Sequence, residues 1–177
     1  INFINKEFKN EENLYGSAYD ADSEGIEGKY YVWSYEELKK ILENDFALFE
    51  KKYEISKSGN FEGKNILVES KNELKEEEQN KITKIEDKLI QERKKRVKPF
   101  FDDKSQTDLN AFILDTLISS SIVLEDNNLK NETISTVKIL NNKLSNKIYH
   151  CYDSSEIDAF LEDYVYYATV SYTHLTL

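Results

Sequence analysis

The residues best equipped for chemistry stand together near the start of the chain. They are Asp20-Ala21-Asp22-Ser23-Glu24-Gly25, followed by Glu27-Gly28-Lys29-Tyr30-Tyr31-Val32-Trp33. Three carboxylates at alternate positions ahead of a glycine turn can bind a cation, hold a polyol, or place an acid beside a base. For calcium, Asp20, Asp22, Glu24 and Gly25 fall at positions 1, 3, 5 and 6 of an EF-hand loop, but position 12, which should be a bidentate acid, is Tyr31. An EF-hand loop also leads into a helix, whereas Lys29–Trp33 is aromatic and β-branched and reads as a strand. The structural alternative is a tight turn whose carboxylates cap nearby backbone N–H groups.

Two further segments mix acids with aromatic rings. In Pro99-Phe100-Phe101-Asp102-Asp103-Lys104, adjacent carboxylates and a lysine can start a helix and form a surface ion pair. They can equally hold one acid protonated and the other ionised, as acid–base chemistry requires. Phe160-Leu161-Glu162-Asp163-Tyr164 again sets two acids between aromatics. Sugar rings need that combination: a stacking face for C–H groups and acceptors for hydroxyls. Other motifs fail on their spacing. Gly63-Lys64-Asn65 lacks the preceding glycine and the Ser/Thr of a phosphate-binding loop. His150 beside Cys151 has no second pair at metal-ligand spacing. Arg93–Arg96 reads as a solvated last helical turn, favoured by the helix dipole. No metal site and no cofactor are expected.

Helices must position these groups. Ser34 with Glu37 forms a capping-box pattern, and Leu38, Ile41, Leu42, Phe46 and Phe49 follow at helical spacing. A long charged helix is expected over about 72–97, ended by Pro99. Leu109, Phe112, Ile113 and Leu117 mark another, Ile134 to Leu144 a further one, and Phe160–Tyr167 a last one with an aromatic face. Short strands are expected near 29–33, 65–68 and 148–152. The fold class is therefore mainly α, with amphipathic helices pairing as antiparallel hairpins.

Composition bounds the function. The 177 residues carry a net charge of -10, which repels nucleic acid and anionic membranes. No apolar run approaches the roughly 20 residues of a membrane span. One cysteine, Cys151, cannot form an internal disulfide and fits a reducing, cytoplasmic compartment. The absence of methionine and the character of residues 170–177 lead us to expect an internal fragment with a non-native or adapter-derived tail.

Taken in order, Asp20–Gly25, Glu27–Trp33, Gly59-Asn60-Phe61-Glu62-Gly63-Lys64-Asn65-Ile66-Leu67, Arg93 to Asp102-Asp103-Lys104, and Phe160–Tyr164 resemble the spermatogenesis-associated protein 20 family, over about residues 15–168. Its bacterial members are thioredoxin-domain-containing proteins. The resemblance implies an (α/α)6 toroid, similar to six-hairpin glycosidases and N-acylglucosamine 2-epimerases, preceded by a thioredoxin-like domain. Residues 1–169 would be a fragment of that toroid, and its partners within the full-length chain would be the remaining hairpins and the thioredoxin-like domain, neither of which this sequence contains.

The implied function is carbohydrate binding or modification, by hydrolysis or by epimerisation. The alternatives are a non-catalytic scaffold or binding toroid and a cation-binding acidic loop. Asp20, Asp22, Asp102 and Asp103 are the candidate catalytic acids and bases. Glu24, Trp33, Lys104, Asn110, Glu162, Asp163 and Tyr164 are the candidate substrate-binding residues, with a carbohydrate as ligand. The family's Val-Leu-Thr-Ser-Trp-Asn-Gly after Asp-Asp-Lys is here Ser105-Gln106-Thr107-Asp108-Leu109-Asn110-Ala111, which keeps Thr107 and Asn110 but loses the tryptophan and glycine.

Overall fold

A computed structural model describes residues 1–144, 146–151 and 157–175. In chain order the elements are α1 (Asn2–Glu7), β1 (Ala18–Tyr19), β2 (Asp22–Ser23), β3 (Ile26–Glu27), α2 (Tyr35–Leu42), α3 (Phe46–Lys52), β4 (Tyr53–Glu54), β5 (Val68–Glu69), α4 (Glu76–Arg93) and β6 (Phe101–Asp102). Then come α5 (Thr107–Val123), α6 (Asn127–Lys143), β7 (Tyr149–Cys151), β8 (Ile157–Asp158) and α7 (Leu161–Leu175). The protein is mainly helical, with short two-stranded antiparallel pairs: β1 with β6, β2 with β3, β4 with β5, and β7 with β8. Among the described residues no helix is long and apolar enough to cross a membrane. Two compact units result, one of Ile1–Tyr19 with Phe101–Leu177 and one of Asp20–Phe100.

The first unit is built on α5, which packs against both α6 and α7. Ala111, Leu114, Leu117 and Ile118 of α5 bury against Leu14, Leu129, Val137, Leu140, Leu144 and Val170. Glu125, held at φ 53°, breaks the helix, and Asp126 caps α6 by accepting from the N–H groups of Asn128 and Leu129 at 3.0 Å. Asn110 is fully buried. Its Oδ1 accepts from the Tyr15 N–H at 2.8 Å, and its Nδ2 donates to the carbonyls of Tyr15 and Gln106 at 2.9 Å. An amide so fully paired inside a core fixes the segment around Tyr15 to α5.

The second unit begins its helices at Ser34. The Ser34 hydroxyl accepts from the Glu37 N–H at 3.1 Å, and the Glu37 carboxylate accepts in return from the Ser34 N–H at 3.4 Å. The apolar run that follows is divided between α2 and α3, because Glu43 at φ 48° turns the chain through a 3-10 turn at Glu43–Asp45. Leu38, Leu42, Phe46 and Phe49 then close on Ile82, Ile85 and Leu89 of α4, with Trp33 in the same core. The expected helix over 72–97 is shorter, Glu76–Arg93, and its last residues give way to turns such as the Arg96 N–H to Arg93 carbonyl bond.

Of the three strand expectations, the first needs correction and the other two are met in part. Residues 29–31 form a turn, because Gly28 at φ 67° reverses the chain and its carbonyl accepts from the N–H groups of Tyr31 and Val32. Only Trp33 of that stretch pairs, in an isolated bridge to Asn65. Near 65–68, Asn65 belongs to that bridge and Val68 begins β5. Of 148–152, Tyr149–Cys151 is strand, and Tyr152 lies outside the described residues.

Candidate functional site

Two places gather polar side chains. In the second unit, a groove of about 500 Å³ is lined by Glu24, Tyr30, Phe61, Glu62, Lys64 and Arg96 among others. Its rims are two hairpins built alike. Ser23 pairs with Ile26 around Glu24-Gly25, and Phe61 with Lys64 around Glu62-Gly63. All four central residues have positive φ (54°, 72°, 45° and 74°), the signature of a type I′ turn. A Cβ on Gly25 or Gly63 would meet nothing within 4 Å, so the backbone angle alone calls for glycine there.

Arg96 holds the groove's base. One guanidinium nitrogen donates to the carbonyls of Tyr30 and Val32 at 2.9 Å, and the other pairs with Glu37 at 2.8 Å. The guanidinium carbon lies 3.9 Å from the centre of the Trp33 ring. Trp33 is 2% exposed, so it presents no open face for a sugar. Glu24 pairs with Lys29 at 2.8 Å. Asp20 accepts from the Asp22 N–H at 3.1 Å, an Asx turn, and both aspartates are exposed.

In the first unit, the N-termini of α5 and α7 meet strand β7. Asp163, in the first turn of α7, has no exposed surface. Its Oδ1 accepts from the Asp108 N–H at 3.0 Å and its Oδ2 from the Phe160 N–H at 2.8 Å. Nδ1 of His150 lies 3.1 and 3.0 Å from the same two oxygens and 4.0 Å from Asp108 Oδ1. Nε2 of His150 is 3.0 Å from Gln106 Nε2, and the Gln106 Oε1 accepts from the Ser17 hydroxyl. With the amide as donor at Nε2, the imidazole carries its proton on Nδ1, toward Asp163.

Of the other sequence candidates in this unit, Asp102 pairs with Lys104 at 3.0 Å, and Asp103 is exposed. Glu162 is exposed and Tyr164 half exposed. Thus Asp20, Asp22, Glu24 and Trp33 belong to the second unit, while Asp102, Asp103, Lys104, Asn110, Glu162, Asp163 and Tyr164 belong to the first. Sequence reasoning gave Asp108 no role, set His150 aside for want of a second pair, and read Arg96 as solvated, whereas Arg96 lies beyond the end of α4 with its guanidinium bonded to Tyr30, Val32 and Glu37. Asp108 and His150 are 42 positions apart, a separation that no local pattern connects. The one available signal was an acid in the first turn of each of two helices.

The chain matches no protein-family model and shows no significant similarity to curated proteins.

Proposed function

We propose that this chain forms part of a six-hairpin, glycosidase-like toroid of the spermatogenesis-associated protein 20 type, and that the groove of the second unit binds a carbohydrate ring. One observation carries the reading. The two strings that most resemble the family, around Glu24-Gly25 and Glu62-Gly63, fold into matching hairpins that line one groove. That groove offers the apolar surfaces of Phe61, Ile26 and Val32 beside carboxylates and ammonium groups. Carboxylates accept from sugar hydroxyls, ammonium groups donate to them, and the apolar side takes the C–H face. The exposed Leu109 and Phe112 of α5 and Tyr164 and Val165 of α7 are the kind of surface that adjoining hairpins of a toroid would cover.

Whether such binding serves hydrolysis or epimerisation turns on two acid–base groups facing one carbon. A specific observation favours a non-catalytic scaffold as the second reading: Asn110 and Trp33 spend their polar and aromatic faces on internal partners.

Saturation-transfer NMR with neutral hexoses and N-acylated amino sugars tests the proposal. Binding that is lost in Phe61→Ala and weakened in Glu62→Gln supports it. Absence of binding to every sugar, or binding indifferent to both substitutions, refutes the groove as a sugar site and leaves the scaffold reading.

A further inference from the structure

We infer that Asp108, His150 and Asp163 form a binding site for a divalent first-row cation, Zn²⁺ or Mn²⁺, in the first unit. One donor atom from each residue lies within 4.8 Å of the others. Donors about 2.1 Å from a shared ion sit about 3 Å apart at right angles and about 4.2 Å apart when opposite. The separations from Nδ1 of His150, 3.0 and 3.1 Å to Asp163 and 4.0 Å to Asp108, fall within that span.

The lone pairs agree with this assignment. A carboxylate has about four acceptor positions. Each oxygen of Asp163 gives one to a backbone N–H, Asp108 to Oδ1 and Phe160 to Oδ2. Nδ1 is nearly equidistant from both oxygens, which is where an ion chelated by the carboxylate would be shared with the imidazole. The Gln106 amide beside Nε2 fixes the ring's orientation from the far side, as outer partners of metal-bound histidines do.

Charge supplies an independent argument. Two carboxylates, one of them with no exposed surface, face a single imidazole, and among the described residues no lysine or arginine pairs with either. The N-termini of α5 and α7 contribute only fractional positive charge. A divalent ion taking the place of the Nδ1 proton completes the balance, and that proton leaves to solvent. Carboxylate and imidazole donors suit Mn²⁺ and Zn²⁺ and give no thiolate to favour Cu(I).

Isothermal titration of the full chain with Zn²⁺ and, separately, Mn²⁺ tests the site. We expect one equivalent per chain for at least one of the two, weakened about tenfold or more in Asp108→Asn and in His150→Gln. Circular dichroism checks that each variant folds. No stoichiometric uptake of either ion overturns the inference, as does uptake unchanged in the folded variants, which would mean surface carboxylates bind the ion. Should a variant fail to fold, X-ray absorption of the loaded native chain decides: imidazole scattering supports the site and an all-oxygen shell refutes it.

Discussion

Arg96 joins the carbonyls of Tyr30 and Val32, the Glu37 carboxylate and the face of Trp33 through one planar group. Lysine cannot reproduce that fork or its stacking. Arg96→Lys is expected to cost about 2 to 3 kcal/mol, read as a lower urea midpoint with unchanged slope. A second residue-scale prediction concerns Tyr15, whose hydroxyl donates to Asn5 at 2.6 Å. Burial first, and then the charge of Glu132, push its pKa from 10.0 up to about 12. The folded state therefore holds this proton longer than the unfolded chain. Its contribution is fully present below pH 10 and is lost as pH rises through 12. Urea denaturation across that range should show falling stability, with a shallower fall in Tyr15→Phe. At this scale the sequence was least informative. It marked Trp33 and Asn110 as ligand contacts, whereas packing spends the one on Arg96 and the other on the Tyr15 backbone. Residue type does not say which partner a polar group will meet across 95 positions of chain.

At the scale of elements, local chemistry decided more. Ser34 with Glu37 predicted a capped helix, and both reciprocal hydrogen bonds are present. Helical spacing likewise located α4, α5 and α6, because burying one stripe requires that period, although the buried face of α5 is Ala111, Leu114, Leu117 and Ile118 and the expected Leu109 and Phe112 lie exposed. The exception is the aromatic stretch after Gly28, read as strand and found as turn. β-propensity describes fit to a half-buried sheet, and among the described residues only Trp33 of this stretch finds a partner, in its bridge to Asn65. The Glu62-Gly63 turn gives a test at this level. Gly63→Ala should cost about 1 kcal/mol, since only the positive φ opposes it, and Gly63→Asn should cost less because asparagine tolerates that region. Thermal melts of the two variants, compared with the native chain, check the order. An equal loss in both would show that the turn geometry is not what selects glycine.

At the scale of the molecule, two cores form, one around α5 and one around α2, α3 and α4. Phe49 and Leu114 have no exposed surface, so each truncation leaves a cavity. Phe49→Ala is expected to cost about 3–5 kcal/mol and Leu114→Ala about 2–5 kcal/mol. Hydrogen exchange should show the first loss in the amides of α2, α3 and α4 and the second in those of α5, α6 and α7. The sequence by itself determined a mainly helical protein, the capped start of α2, and a glycine turn after Glu24. These follow from periodicity, side-chain capping and backbone angles, which act within a few residues. Only the tertiary structure decided that the hairpin around Glu24-Gly25 becomes one rim of a groove whose other rim is Phe61–Lys64, and that Asp163 is enclosed by His150 and the first turn of α5. Those arrangements depend on contacts between residues tens of positions apart, and it is burial of the apolar stripes that brings them together.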